Sequence, residues 1–439
     1  MTTFLFCESA GARALAAAQR RAGRGGGLTS DDERESVASD MSFLSQETFE
    51  ASTPAGVEET TAPGAGAAAS SRNNGDFADL LEKLNEKRTT VREDCLRELI
   101  AGLRSYTFVD QAIANRESVF SSLVGLLRRS RETEGVLCAE ALGMMMLLIG
   151  PEEDEIFNLV RAPLEFVITR GQSERMRIEA TRALALGSFI CNTEEERTLA
   201  HLAFFEALFT GESEGGRASE ELKAAGVDAW SLLFTVAPRG YNTHESRALL
   251  LENFLPLLDA SSADLRVAAG EAIALLREHW RQEGLAVHDV SADEEEVVDS
   301  IVDRLQDMAR EGSKRMSRKD KKAQRASFRE ICSAVVDGQR PEEVISYRTR
   351  SFRLTSWVKM KQVEALRDCL QGGFLTALAQ NTVIHDIFDL DPTAFDVPVE
   401  RSVVAKNSEL GRWRTTTRSR NRRSREKAKH HFTEEGEDA

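Results

Sequence analysis

The stretch "RIEATRAL", residues 177–184, contains the spacing from which the fold is predicted. Its fourth and seventh residues, Ala180 and Ala183, are small, and its eighth residue, Leu184, is large and apolar. Residues three to four apart lie on one face of an α-helix, so the two alanines allow a neighbouring helix to approach closely. The stretch is therefore predicted to be one helix of a tightly packed helical array.

The same spacing recurs along the chain. The other copies are "REDCLREL" (92–99), "GVLCAEAL" (135–142), "KAAGVDAW" (223–230) and "RVAAGEAI" (266–273), and consecutive copies begin 43, 42, 46 and 43 residues apart. This period matches armadillo and HEAT repeats, which have roughly 40–47 residues. The first copy has Glu98 in place of the second small residue, as an end repeat would. We therefore predict an all-α fold, an armadillo/HEAT-like α-solenoid followed by a small helical C-terminal domain, with disordered N- and C-terminal tails.

Charge divides the chain into parts of opposite sign. The net charge is −15, but residues 76–312 carry 25 Lys and Arg against 44 Asp and Glu, whereas residues 313–439 carry 26 against 18. With the periodicity, this predicts four regions: a disordered acidic, Ser- and Gly-rich segment (1–75), the repeat domain (76–312), the helical C-terminal domain (313–395) and a basic disordered tail (396–439). Such a split indicates different partners for different regions.

The first 75 residues offer little to bury. Within "SDDERESVASDMS" four serines lie beside acidic residues and are candidate phosphorylation sites: Ser30, Ser36, Ser39 and Ser42. An acidic solvated tail is the alternative interpretation. The Ala- and Arg-rich start also loosely resembles an organelle transit peptide. The six cysteines are scattered singly, which is typical of reduced intracellular thiols, and no apolar run approaches the roughly 20 residues that span a bilayer.

The stretch "SRKDKKAQRASFREI", residues 317–331, predicts a helix with two faces. Ser317 and Asp320 have the spacing of a capping box, and the helix is expected to continue to about Val336. One face is apolar, with Phe328, Ile331, Cys332 and Val335, and a row of cations lies about a quarter turn away. The predicted contacts with a nucleic acid or an acidic partner are Arg318, Lys319, Lys321, Lys322, Arg325 and Arg329. A charged face that only keeps the helix soluble is the alternative.

A second C-terminal helix is expected from about Ser356 to Gly372-Gly373, with Val363, Leu366 and Leu370 on its buried side. Trp357 is predicted to be a core anchor rather than a stacking platform for bases. Beyond it, residues 401–430 contain 11 Lys and Arg against 2 Asp and Glu. This segment is typical of a nuclear-localisation or RNA-binding arm. Its predicted contact residues are Arg412, Arg414, Arg418, Arg420, Arg422, Arg423 and Arg425.

Three C-terminal blocks resemble one known family. "SRKDKKAQRASFREICSAVVDGQRPEE", then Ser356-Trp357, then "GGFLTALAQNTVIHDIFDL" follow each other as in the C-terminal domain of the interferon-related developmental regulator family. The matching positions are Ser317, Arg318, Lys319, Asp320, Lys321, Lys322, Gln324, Arg325, Phe328, Arg329 and Trp357. The chain departs from the family at 376–379, where it lacks a histidine before the "QN" pair, and the Arg-rich tail is its own.

The resemblance implies a non-enzymatic regulator with an armadillo-like fold in the nucleus and cytoplasm. Members of the family are described as transcriptional co-regulators acting through corepressor and deacetylase complexes, and one branch as binding ribosomes and restraining translation. The expected partners are therefore proteins of the corepressor type on the repeat surface. The alternative partner is the ribosome, contacted at its rRNA by the basic helix; single-stranded base stacking is disfavoured because few aromatics interleave the basic stretches.

Other function classes find little support. The seven histidines do not have the spacing of metal ligands outside the terminal pair, and "GRGGG" lacks the Gly-Lys-Ser/Thr of a phosphate-binding loop. Cys332 and His385 could form a catalytic dyad, but each lies at a position where a predicted helix needs a core residue. We therefore expect no catalytic residue, no metal, no cofactor, no small-molecule substrate and no membrane partner. An import receptor is also disfavoured, because its Trp and Asn ladder is missing: Trp230 occupies a repeat position but is followed by Phe234.

Overall fold

The computed structural model describes residues 77–391, apart from short gaps at 131, 152–153, 193, 213–217, 239–240, 242–245, 285–291, 311–317 and 348–349. Helical residues 77–83 precede a series of further helices. They are α1 (Thr89–Arg104), α2 (Val109–Ala114), α3 (Arg116–Arg129), α4 (Thr133–Ile149), α5 (Asp154–Arg170), α6 (Glu174–Cys191), α7 (Glu195–Thr210), α8 (Glu220–Phe234), α9 (Ser246–Phe254), α10 (Ala263–Gln282), α11 (Ala292–Arg310), α12 (Arg318–Asp337), α13 (Trp357–Leu370), α14 (Phe374–Gln380) and α15 (Thr382–Phe388). Two short 3₁₀ turns, Leu255–Asp259 and Gln371–Gly373, complete the helical part.

The helices stack in two rows, as in a solenoid. In the inner row α1, α4, α6, α8, α10 and α12 each pack on the next. Each of the last five also packs against the helix that precedes it in the outer row, which gives the pairs α3/α4, α5/α6, α7/α8, α9/α10 and α11/α12. The predicted all-α solenoid is confirmed, and α12 extends the inner row by one helix.

Small residues explain why the inner helices pack so closely. The fourth residue of every repeat copy is buried, as are the large eighth residues and four of the five seventh residues; the exception is the exposed Glu98. A Cβ atom on Gly143 of α4 would lie 3.4 Å from the Cα of Ala183 in α6. Larger side chains on this face would hold the two helices apart, at a cost in dispersion contacts.

Two polar features fix where the inner helices begin. Ser173, Ser219 and Ser262 cap α6, α8 and α10, each accepting a hydrogen bond from the backbone N–H three residues later. In three of the repeat copies the first residue is an arginine, and its side chain donates a hydrogen bond to a backbone carbonyl that precedes its own helix. Arg92 reaches the carbonyl of Glu86 at 2.7 Å, and Arg266 reaches that of Ala260 at 2.6 Å. These contacts satisfy carbonyl groups that end the preceding segment.

The C-terminal part contains an element that the sequence reasoning missed. Strands β1 (Glu343–Tyr347) and β2 (Arg350–Leu354) form an antiparallel hairpin with Ile345 opposite Phe352. The sequence was expected to be helical there, with almost no strand alternation. Only Ile345 and Leu354 of the hairpin are buried, so its period-two pattern is short and weak. Phe352 nevertheless anchors it, with its ring centroid 6.1 Å from that of Phe388 in α15.

Candidate functional site

Helix α13 crosses the exposed side of the inner row. Its N-cap is Ser356, near which the sequence predicts the start of this helix, and the Ser356 hydroxyl accepts a hydrogen bond from the N–H of Lys359 at 3.2 Å. The helix contacts α4, α8 and α10. Fourteen residues rise by about 21 Å. Neighbouring helices lie about 8–10 Å apart, so α13 extends along most of the distance of about 24–30 Å that separates α4 from α10, with α6 and α8 between them. Val363, Leu366 and Leu370 form its buried side, as predicted.

Both ends of α13 are anchored to the solenoid by polar contacts. At the start, the backbone N–H of Trp357 donates to the buried carboxylate of Glu278 in α10 at 2.9 Å. A carboxylate at a helix N-terminus is favoured by the helix dipole. At the other end, Arg104 of α1 donates to the carbonyl of Cys369 at 3.4 Å and pairs with Glu140 of α4.

A buried lysine lies at the middle of this contact. The side chain of Lys361 is 4% exposed, and its Nζ lies 3.3 Å from Asp228 of α8 and 2.9 Å from Glu364 on its own helix. It also donates to Glu271 of α10. Burial alone would lower the pKa of Lys361, but three neighbouring carboxylates, led by Glu271, raise it well above the usual lysine value. The ammonium group therefore stays charged. Of its three carboxylate partners, Glu271 is largely buried, whereas Asp228 and Glu364 are each 55% exposed.

A cavity of about 160 Å³ lies beside Lys361, between α13 and the helices α4, α6 and α8. Its charged lining residues are Glu140, Glu179, Arg182, Asp228, Lys361, Glu364 and Asp368, and much of the remainder is small, including Gly143, Ala183, Ala225 and Ala229. We name the inner-row face below α13, which carries Glu140, Glu179, Asp228 and Glu271, the acidic groove. Burial raises the pKa of Glu271 to about 7, against the lowering effect of Lys361.

A charged position in the repeats marks the acidic groove. In each repeat copy the sixth residue, between the two small positions, is charged: Arg97, Glu140, Arg182, Asp228 and Glu271. Glu140, Arg182 and Asp228 line the cavity, and Glu271 pairs with Lys361. A charged position at a fixed place in every repeat therefore marks the face on which α13 lies.

The predicted basic site on α12 is described only in part. Lys322 and Arg329 are exposed and Arg325 is half-buried, whereas the apolar face with Phe328, Ile331 and Val335 is buried. The backbone of α12 covers the predicted range, but Ser317 and the side chains of Arg318, Lys319 and Lys321 lie outside the described residues. The described part is thus a helix that packs on one face and presents at least two cations to solvent.

Several other predicted residues can be placed. Trp357 is 5% exposed, so it is a core anchor and not a stacking platform. Trp230 stacks on Phe234 inside the core, with centroids 5.0 Å apart. His385 is buried and hydrogen-bonded through Nε2 to the carbonyl of Leu378, while Cys332 is half-buried in α12. The candidate phosphorylation sites Ser30, Ser36, Ser39 and Ser42 and the arginines of the tail lie outside the described residues.

One buried network resembles a hydrolase triad in composition. Ser188 Oγ lies 2.8 Å from Nδ1 of His201, and Nε2 of His201 lies 3.3 Å from Glu165 Oε1. Ser188 is 1% exposed, however, and the ring of His201 packs edge-on against Phe157. A substrate has no access to such a serine, so this network is a hydrogen-bonded part of the core.

Two further kinds of feature, a metal site and a membrane span, are absent from the described residues. Among them, no group of three or more His, Cys, Asp or Glu side chains is arranged to hold a metal ion. Within the same part of the chain, every helix is too short or too polar to cross a bilayer.

Comparisons with known proteins identify relatives. The chain is 28% identical to interferon-related developmental regulator 2 of Mus musculus over 326 residues, which cover 70% of this chain and 71% of that protein. It is 25% identical to interferon-related developmental regulator 1 of Mus musculus, covering 71% of each, and 24% identical to that of Homo sapiens, covering 71% and 70%. Among solved structures, an engineered protein aligns with a TM-score of 0.36 and 15% identity over 59% of this chain and 97% of its own, which is too weak to bear on the fold.

The family match is broad. The model of the interferon-related developmental regulator family matches residues 40–336, from before the first described helix to the end of α12. This range includes every repeat copy and the basic helix. The chain belongs to the interferon-related developmental regulator family.

Proposed function

We propose that the protein is a non-enzymatic scaffold that regulates gene expression through protein–protein contacts, as a transcriptional co-regulator in the nucleus and cytoplasm. The observation that supports it best lies on the outer row. There α5 exposes Leu159 and Phe166, the latter to 66%, and α9 exposes Leu249. Leu159 and Phe166 are seven residues apart, on one face of α5. Large apolar side chains held on a rigid solenoid are typical of protein-binding surfaces.

A tethered reporter assay tests this role. The chain is fused to a DNA-binding domain upstream of a reporter gene, and the fusion is expected to change transcription at least threefold. Phe166→Ser with Leu159→Ser should abolish the effect, because it removes the exposed apolar face without touching the core. Lys87→Glu with Arg88→Glu, two exposed residues before α1, is the control and should leave the effect intact. A fusion without effect at normal expression contradicts the co-regulator role.

Ribosome binding is the second candidate, and the exposed cations of α12 favour it. Lys322 and Arg329 lie seven residues apart on one helix face, which suits contacts with successive phosphates of rRNA. This interpretation assigns the basic helix to the ribosome and the repeats to protein contacts.

Co-sedimentation with ribosomes through a salt series separates the two candidates. If α12 binds rRNA, the wild type pellets at low salt and is released as salt rises, because bound counterions return to the phosphates. Lys322→Glu with Arg329→Glu should then weaken pelleting. It should also reduce the slope of the logarithm of the binding constant against the logarithm of the salt concentration by about 1–2. The Lys87→Glu, Arg88→Glu control changes charge equally and should pellet like the wild type. A wild type that stays in the supernatant at low salt excludes this candidate.

A further inference from the structure

A groove between two outer-row helices has an exposed aromatic residue in its lining. It lies between α3, α5 and the start of α6, and its volume is about 850 Å³. Leu127, Val167 and Met176 are the buried apolar part of the lining, whereas Phe166 is 66% exposed. No other large apolar side chain of the described residues is as exposed. We name this surface the α3/α5 groove, and its chemistry suits an occupant with apolar side chains.

The helix ends beside the α3/α5 groove are basic, although the repeat domain as a whole is acidic. Residues 128–132 and 170–175 adjoin the groove, and their described charged side chains are Arg128, Arg129, Glu132, Arg170, Glu174 and Arg175. The corresponding groove between α7 and α9 has the opposite sign. Its charged lining residues are Glu212, Glu220, Lys223, Glu252 and Asp259. An acidic segment is therefore attracted to the α3/α5 groove and repelled by the other one.

The chain contains a segment of matching chemistry outside the described residues. Residues 40–50, "DMSFLSQETFE", have three acidic residues and no Lys or Arg. Phe43 and Phe49 are the only aromatic residues between Cys7 and Asp76. The match to the family model begins at residue 40 and so includes this segment, although the first described helix starts only at residue 77. The segment thus combines aromatic side chains with the charge that the groove attracts.

The linker to the first described helix is long enough for this contact. Residues 51–76 number 26 and span at most about 90 Å when fully extended. The ring of Phe77 lies 5.6 Å from that of Phe108, which directly precedes α2. Helix α3 follows α2 and rises by about 21 Å to its end at the groove. The groove is therefore within reach, and the tether raises the local concentration of the segment above that of a free partner.

We propose that residues 40–50 bind in the α3/α5 groove of the same chain and cover Phe166. The two phenylalanines of the segment fill the groove, and its three carboxylates lie towards the arginines at the helix ends. The contact regulates the exposed face of α5, which we assign above to protein partners, and this consequence rests on the proposed scaffold role. A partner has to displace the segment before it contacts Phe166.

Photo-crosslinking in the full-length chain tests the contact directly. Phe43 is replaced by p-benzoylphenylalanine, and the linked peptides are identified by mass spectrometry after irradiation. Crosslinks to residues 124–130 or 162–176 of the same chain are expected. Phe166→Ser should lower their yield at least fivefold. Val344→Ser, at an exposed apolar residue of the hairpin, is the matched control and should leave the yield unchanged.

Peptide binding measures the competition between tethered and free segments. A labelled peptide of residues 38–52 is titrated with the full-length chain and with a chain that lacks these residues, and fluorescence anisotropy gives both affinities. The peptide should bind the shortened chain at least tenfold more tightly, because the tethered copy occupies the groove of the full-length chain. Phe43→Ser with Phe49→Ser in the peptide should weaken binding to the shortened chain at least tenfold.

Three results overturn the proposal: crosslinks between two chains, since the occupant is then a second copy; crosslinks that miss the groove; and a peptide that binds both chains equally. The tethered reporter separates this contact from the proposed function. An active reporter without crosslinks at the groove rejects the contact and leaves the scaffold role, whereas crosslinks at the groove with an inactive reporter reject the role and leave the contact. Where both are found, deletion of residues 38–52 should raise the reporter effect at least twofold, and an unchanged effect overturns the regulation.

Discussion

Glu271 is a residue of the acidic groove whose pKa is shifted by its surroundings. It is largely buried between α10 and α13, and burial raises its pKa to about 7 although Lys361 opposes the shift. Asp228 and Glu364 add to the rise. Between the ordinary glutamate pKa of 4.5 and about 7, the folded chain therefore holds a proton that the unfolded chain has lost. The stabilisation that comes from the raised pKa of Glu271 is therefore fully present below about pH 4.5 and is lost as pH rises through about 7.

Glu271→Gln is expected to remove this dependence. Relative to the wild type, the free energy of unfolding of the variant should rise between pH 5 and pH 7.5 by more than about 1 kcal/mol, since one pKa unit corresponds to about 1.4 kcal/mol. Urea unfolding at five pH values measures it. Glu252→Gln, at an exposed glutamate of α9, is the control and should run parallel to the wild type. A Glu271→Gln curve that also runs parallel shows that the carboxylate is ionised throughout.

At the scale of elements, the turn between α13 and α14 depends on one of two adjacent glycines. A Cβ on Gly373 would lie 2.4 Å from the carbonyl oxygen of Arg104 in α1, whereas a Cβ on Gly372 would meet nothing within 4 Å. Because the atom in the way belongs to the backbone, rotation of a side chain does not relieve the clash. The second glycine is thus what allows α13 to end against α1.

Gly373→Ala is expected to lower the free energy of unfolding by about 1–3 kcal/mol, the usual cost of overpacking. Gly372→Ala is the matched control and should be neutral or stabilising by about 0.4–1 kcal/mol, because alanine restricts the unfolded chain. Chemical denaturation followed by circular dichroism compares the two. Equal effects of both substitutions contradict a tight contact between this turn and α1.

The sequence predicts the repeat helices, each of which packs against helices that are close to it along the chain. The small residues at 180 and 183 determine a close helix–helix contact by their size alone, so periodicity was sufficient to find the inner row. The position of α13 depends on contacts such as that of Lys361 with Asp228, 133 residues apart. Charged side chains on a helix are usually solvated, and Asp228, itself 55% exposed, has nothing in its local sequence that marks it as a partner of Lys361. The hairpin was missed because two buried residues in ten give no readable alternation.

On the scale of the whole molecule, opposite charges are assigned to separate surfaces. The acidic groove is covered by α13, the exposed cations of α12 lie on the last helix of the inner row, and the exposed apolar residues Leu159 and Phe166 lie on the outer row. Of these three surfaces the basic and the apolar ones are exposed, and their different chemistry suits different partners.

The hydrophobic core described between Phe77 and Phe388 predicts how two truncations differ. Deleting residues 401–439 should leave the melting temperature within about 1 °C of the wild type, because no core residue of the described part is lost, while nuclear accumulation or RNA affinity falls with the basic segment. Deleting residues 356–439 also removes Val363, Leu366 and Leu370, and it should lower the melting temperature by more than about 4 °C, since 1 kcal/mol corresponds to about 2–4 °C in a domain of this size. Differential scanning calorimetry measures both. A shorter deletion that destabilises as much as the longer one shows that the tail takes part in the fold.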